Sequence, residues 1–314
     1  MSVEVIEPGF LTSVQDAVGR AEWRHVGVPV GGAADRWNAR LANRLVGNPD
    51  RSALLEMTLM GATLRFGIRC RIALTGGLHA TLDGMPFGPN VAREVRPGAM
   101  LRVGDGEGAR GYLAVAGGLA VEPVLGSAAT DLRTGFGGHD GRALRAGDVL
   151  SVHAPGVGPA LRWTGSWPTG PIRIVAGPHA ERCAPDALTL NEWRIDPAAD
   201  RTGVRLEGSR VATAAGEVAT MGLPLGAIQV PADGGPIVML ADRPVTGGYP
   251  VPAVVIGADV GRVAQLRPGD QVRFASVSLE EARSALRRAE DELAALEVLA
   301  GPSDDELGWA GSHR

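Results

Sequence analysis

The sequence predicts a mainly β protein of two related barrels, with a few short helices and an amphipathic helix near the C-terminus. Three observations carry this expectation. First, the 314 residues include 45 Gly and 22 Pro, about one residue in five where the average for the pair is near 12%. They lie between apolar runs, as tight turns would. Second, the apolar runs are mostly about four to seven residues long, the length of strands. Third, a turn-and-strand phrase recurs. Leu144-Arg-Ala-Gly-Asp148 leads into residues 149–152, and Leu266-Arg-Pro-Gly-Asp270 leads into residues 271–274. Val95-Arg-Pro-Gly-Ala99 is a weaker third copy.

Taken in order, residues 33–46 (AADRWNARLANRLV) set Trp37, Leu41, Arg44 and Leu45 at helical spacing. Gly47 offers a C-cap and Pro49 a stop. Residues 62–66, 71–74 and 111–116 read as strands, with Asp83-Gly84 as a hairpin turn. Residues 155–171 are rich in Gly and Pro and read as the division between the barrels. Beyond them, residues 172–175, 236–241 and 251–256 read as strands, the second opened by Asp233-Gly234-Gly235. Ser278-Leu-Glu-Glu281 is a capping box. Leu279, Leu286 and Leu293 then recur every seventh residue, predicting a helix to Ala300 that docks on its own chain. The expected organisation is therefore residues 1–160 and 171–276 for the two barrels, 278–300 for the helix and 301–314 for a flexible tail.

Composition excludes several function classes. The formal net charge of −4 has the wrong sign for a nucleic-acid partner. All 31 basic residues are Arg. A chain without lysine forms no Schiff base, has no P-loop lysine and carries no biotin or lipoyl group of its own. Two cysteines make neither a disulfide framework nor a zinc site, and the six histidines show no metal spacing, so no metal is expected. The N-terminus lacks the basic start of a signal peptide, and no apolar run approaches the ~18 residues of a membrane span. A soluble cytoplasmic chain is expected.

Four segments concentrate polar residues between glycines and prolines. Residues 12–38 hold Gln15, Asp16, Arg20, Arg24, His25 and Asp35 in a poorly periodic stretch. Residues 127–142 form a glycine-rich loop with Asp131, Arg133 and His139, read either as a backbone cradle for an anion or as a plain hairpin loop. Gln229 interrupts an apolar run, so its amide either bonds backbone or recognises an amide, ureido or carboxylate group. Asp242 and Arg243 end an apolar strand beside Thr246, Gly247, Gly248 and Tyr249, a frequent place for a site and equally for a surface pair.

Read together, these blocks resemble one family. EPGFLTSVQD, RHVGVPVGGAADRWNARLANRLVGNP, LLEMTLMGATLRF, GYLAVAGGLAVEPVLGSAATDLRTGFGG, DRTGVRLEG, LGAIQVPADGGPIVMLADRPVTGGYP and VAQLRPGDQVRF follow in its order, between residues 7 and 274. The chain resembles allophanate hydrolase subunit 2, a family also described as the C subunit of 5-oxoprolinase and as Kip antagonist. It is similar to half of the carboxyltransferase domain of urea carboxylase.

The resemblance implies cyclophilin-like β-barrels and a subunit-1-like (Kip-inhibitor-like) partner, joined by a third subunit in 5-oxoprolinase. It implies ATP-dependent opening of 5-oxoproline to glutamate. The alternatives are carboxyl transfer from carboxybiotin to urea or a related amide, and regulation by binding a Kip-inhibitor-like protein. ATP would be used by the complex, and biotin would ride on a separate carrier. By block membership and chemistry, Asp242, Arg243, His25 and Asp131 are the candidate catalytic residues. Arg24, Arg133, Gln229, Thr246 and Tyr249 are the candidate substrate-binding residues. Three positions depart from the family pattern. Val251 stands where a lysine is frequent, Pro244-Val245-Thr246 where Gln-Thr-Thr is frequent, and His179 where Gln is expected after Gly177-Pro178.

Overall fold

The computed structural model describes residues 2–154, 159–184, 186–214 and 218–299. The predicted tail, 301–314, lies outside the described residues. Two large sheets form the body, and they curl as a half-barrel and a nearly closed barrel. The mainly β fold class is therefore as the sequence predicts.

The first sheet has nine strands. Its order is Leu11–Gln15, Leu54–Thr58, Met100–Val115, Thr63–Phe66, Ser2–Glu7 and Val149–Ser151. The long strand Cys70–Leu82 pairs with Met100–Val115, and also with Met85–Phe87 and Ala92–Val95. Asp83-Gly84 turns the hairpin after Cys70–Leu82, both residues at positive φ, as a type I′ turn requires. The core on one face gathers Val5, Leu55, Met57, Leu64, Phe66, Leu74 and Leu113.

The second sheet has eight strands, ordered Gln271–Val272, Trp193–Ile195, Gly203–Glu207, Ile237–Met239, Ala227–Gln229, Ala253–Val255, Ile172–Ala176 and Phe274–Ser276. Only its last pair is parallel. Its core includes Ile174, Trp193, Ile195, Ile228, Val238 and Val255.

The recurring phrase makes the same turn twice. Asp148 accepts the Arg145 N–H at 2.7 Å, and Asp270 accepts the Arg267 N–H at 2.7 Å. The intervening Gly147 and Gly269 have φ of 88° and 89°, the left-handed region that glycine enters without strain. Each glycine N–H then donates across to the sheet, to Val5 O and Ile195 O.

Helix α1 (Arg36–Leu45) starts later than the apolar pattern, because Asp35 is its N-cap and accepts the Asn38 N–H at 3.1 Å. A short helix α2 (Val260–Ala264) follows the strand Ala253–Val255. Helix α3 (Leu279–Ala294) keeps the capping box but stops short of the expected Ala300. The chain leaves the helix at Ala295, and Glu297–Val298 pairs with Leu161–Arg162. Of the three heptad leucines only Leu293 is buried, while Leu279 and Leu286 are 63% and 45% exposed. The helix buries Ala285 and Leu293 and binds α1 through polar groups. Trp37 Nε1 donates to Ala289 O, Arg40 pairs with Glu290, and Arg44 donates to Leu293 O. Part of the stretch read as a linker packs at this junction. Trp163 and Trp167 pack edge-on against Trp37, centroids 5.0 and 4.4 Å away. No helix among the described residues is long and apolar enough to cross a membrane.

Candidate functional site

A buried ionic cluster joins the two sheets. Glu56 sits in the strand Leu54–Thr58 with 1% exposure, its neighbours Leu55 and Met57 turned into the first core. Alternation therefore points Glu56 the other way, and Tyr112 lies opposite it in register. Glu56 Oε2 accepts the Tyr112 hydroxyl at 2.9 Å and the Ala34 N–H at 2.8 Å. Its other oxygen accepts Arg201 Nη1 from the turn before Gly203–Glu207. Arg201 then grips Asp242 with two bonds, Nε to Oδ2 at 2.8 Å and Nη2 to Oδ1 at 2.9 Å. It also donates to Gly32 O at 2.7 Å. Arg110 lies 3.8 Å from Glu56 and donates to Ala264 O. Gln265 Nε2 bonds Asp35 at 2.9 Å.

The protonation behaviour follows from this geometry. Burial pushes the Glu56 carboxyl up, but Arg201 and Arg110 outweigh it and hold the group below its ordinary value. Asp242 goes the other way. Its burial outweighs Arg201, and the nearby charges of Glu56 and Asp131 add to the rise. A carboxylate gripped on one side and raised in pKa is equipped to hold or accept a proton.

Beside this cluster lies an open groove of about 1130 Å³. Its walls include Arg24 and His25 from the short 3-10 turn Ala21–Val26, Arg133 and Thr134 from the glycine-rich loop, and Pro244, Val245 and Thr246 from the segment after the strand Ile237–Met239, where Thr246 pairs with Gly222 in a separate two-stranded ribbon. Four of the nine residues singled out from sequence, Arg24, His25, Arg133 and Thr246, thus line one cavity. Asp242 and Arg243 immediately precede its Pro244 wall. A Cβ placed on Gly31 would lie 3.7 Å from Arg20 Nη1 and 3.9 Å from Asp242 Oδ1, so only a glycine separates these two side chains.

The other assignments land differently. Asp131 is buried and shapes its loop, accepting the Arg133 and Thr134 N–H groups at 3.0 and 3.1 Å. His25 is exposed, its Nδ1 2.8 Å from Glu22 O. Gln229 is buried under the loop. Among the described residues its Nε2 has no acceptor, and it would lie 2.6 Å from a Cβ on Gly247, so that glycine leaves it room. Tyr249 is half exposed and does not line the groove.

The glycine-rich loop folds over a cation. Arg20 donates to Val124 O and Ala129 O, and its guanidinium stacks 4.5 Å from the Phe136 ring. Two of the departures from the family pattern touch each other. The Val251 N–H donates to His179 Nδ1 at 3.1 Å, and the His179 N–H returns to Val251 O at 3.1 Å. The Val251 side chain is fully buried with Leu223, Ala227 and Met239.

Glu56, Arg201, Arg110 and Arg36 were not singled out from sequence. Glu56 carried a usable signal, a lone charge inside the apolar run Leu-Leu-Glu-Met. Arg201 carried none beyond its block.

Residues 26–276 match the family of the carboxyltransferase domain, subdomain A and B. The chain belongs to this family. The match takes in most of both sheets and stops before α3. Among curated proteins, the C subunit of 5-oxoprolinase from Escherichia coli (strain K12) is 38% identical, over 95% of this chain and 97% of the relative. The urea amidolyase of Saccharomyces cerevisiae is 33% identical over 92% of this chain, which spans only 17% of that much longer protein. The crystal structure of the Kluyveromyces lactis urea carboxylase superposes with a TM-score of 0.87 at 33% identity, over 97% of this chain and 30% of that one.

Proposed function

We propose that this carboxyltransferase-family chain is a subunit of an ATP-dependent complex that processes amides or lactams, acting on 5-oxoproline to give glutamate. The observation that carries this reading is the end-to-end match to the C subunit of 5-oxoprolinase, which spans 97% of that relative. Opening the ring adds water across the amide. Its hydroxyl goes to the carbonyl carbon, its proton to the nitrogen, and the C–N bond breaks while ATP is hydrolysed.

The groove supplies groups suited to this task. Arg24 and Arg133 are donors for a carbonyl oxygen that gains negative charge. Asp242, held by Arg201 and raised by burial, is the candidate group for moving the proton. Thr246 and the exposed His25 ring complete the polar lining. Asp131 acts by holding Arg133 in place through its loop. Arg243, Gln229 and Tyr249 complete the proposed set around the same loop. ATP is consumed by the complex, with a Kip-inhibitor-like chain and a third subunit as partners.

The family match favours a second reading, carboxyl transfer to urea or a related amide. Biotin would then arrive on another protein, since this chain has no lysine to carry it. Regulation through a Kip-inhibitor-like partner is the reading that remains if neither chemistry is found. The test is 5-oxoproline-dependent ATP hydrolysis with glutamate detection, on the chain alone and with its partner subunits. Glutamate from the mixture only is the expected result. A stable complex that carboxylates urea from carboxybiotin and leaves 5-oxoproline intact would establish the second reading instead.

A further inference from the structure

The groove region holds three guanidiniums whose charge no close carboxylate matches. Arg24 and Arg243 come from distant segments yet donate to one oxygen, Leu223 O, from Nη2 at 2.7 Å and Nε at 2.9 Å. Arg243 adds a bond to Leu240 O at 3.2 Å. Arg36, at the first position of α1, is near enough for its charge to act on Arg243. After burial, the charges of Arg24 and Arg36 are what lower the Arg243 pKa, to about 10. Among the described residues none of the three has a carboxylate within 4.0 Å. Asp242 and Asp16 act on the cluster only from farther away.

Carbonyl oxygens fix Arg24 and Arg243 without cancelling their charge. They also leave donors free. Nη2 of Arg243, Nε and Nη1 of Arg24 and all three nitrogens of Arg36 have no acceptor among the described residues. Of these, only Arg36 Nε is sealed from solvent. Converging forks with open N–H groups match the paired oxygens of a carboxylate or phosphate.

We propose that Arg24 on the groove wall, with Arg243 and Arg36 behind it, forms an oxyanion subsite, and that it takes the free carboxylate of the substrate. The source of the anion rests on the lactam reading, since 5-oxoproline carries a carboxylate beside its ring and urea carries none. The subsite itself rests on the arginine geometry. It makes the groove selective for amides that bear a separate negative group.

Calorimetric titration of the full chain, alone and with its partner subunits, tests this with three probes. They are 5-oxoproline, 2-pyrrolidinone (the same ring without the carboxylate) and inorganic phosphate. The expected result is at least tenfold tighter binding of 5-oxoproline than of 2-pyrrolidinone. Arg243→Met should remove most of that difference. Arg36→Met should do the same, and it removes no hydrogen bond, so it guards against a folding defect. Phosphate binding with the same arginine dependence, in place of 5-oxoproline, would keep the subsite and reassign its anion. Arginine variants that bind every probe as the parent does would overturn it, as would no binding of either anion to chain or complex. A complex that releases no glutamate, yet binds anions through these arginines, would refute the lactam reading and leave the subsite standing.

Discussion

Two sets of arginines lie within the same junction, and they are treated in opposite ways. Arg201 and Arg110 face Glu56 and Asp242, and Arg201 is saturated by carboxylate and carbonyl oxygens. Burial would lower the Arg201 pKa, yet Glu56 and Asp242 hold it well above its ordinary value. Arg24, Arg36 and Arg243 have no such partners, and for Arg243 burial and like charge together push the pKa down. Like charges brought close together repel. A fold keeps such an arrangement when something outside the chain completes it. The first set therefore reads as a clamp between sheets and the second as a receptor.

The largest expected effect breaks the clamp. Arg201→Met strands Glu56 and Asp242 as buried charges, and removing one partner of such a cluster costs about 3–5 kcal/mol. Urea denaturation should show that loss. A change below 1 kcal/mol would mean the cluster is not what joins the sheets.

Glu56→Gln should cost about 2 kcal/mol, the scale of a hydrogen bond to a charged group. It also carries a pH signature. Because the folded carboxyl is held below its ordinary value of 4.5, its contribution is complete above that value and is lost as the pH falls through the lower folded value. The parent should therefore lose stability more steeply than Glu56→Gln between pH 6 and pH 3. Parallel curves would show that Glu56 is not ion-paired as described.

Arg243→Met should cost only about 1 kcal/mol. It loses hydrogen bonds to two carbonyls but relieves repulsion, and Arg24 still serves Leu223 O. The smallest effect belongs to an arginine that is paired but exposed. Arg69→Gln removes a bond to Glu94 at positions 75% and 53% exposed, and solvent takes over that role, so stability should stay within about 0.5 kcal/mol. A loss at Arg69 as large as at Arg201 would mean that burial does not set the scale.

The sequence disclosed the fold more readily than the site. Strand-length apolar runs and the repeated Arg-x-Gly-Asp phrase are local signals, and the two turns they predict have matching bonds and glycine angles. The end of α3 was not legible, because a pairing between Glu297–Val298 and Leu161–Arg162 overrides a continuous helical pattern. The leucine repeat announced the helix and its docking but not its full docking face, since of its three leucines only Leu293 is buried. Periodicity shows that a face exists, but Trp37, Arg40 and Arg44 on α1 choose which face docks.

At the site, residues clustered in loops were legible as a group. Arg24, His25, Arg133 and Thr246 do share one groove. Arg201 and Arg36 were not legible. An arginine that meets a carboxylate 145 residues away in the chain looks like any other arginine until the sheets meet. Nor was it legible that the Asp131 carboxylate bonds its own loop, accepting the Arg133 and Thr134 N–H groups.

The most direct single measurement is a parallel reading of two quantities, unfolding free energy and 5-oxoproline affinity, for Arg201→Met and Arg243→Met in the full chain with its partner subunits. The account predicts that Arg201→Met loses stability severalfold more than Arg243→Met, and that Arg243→Met keeps its fold while its affinity falls tenfold or more. An Arg243→Met protein that loses as much stability as Arg201→Met and still binds 5-oxoproline as the parent does would contradict it.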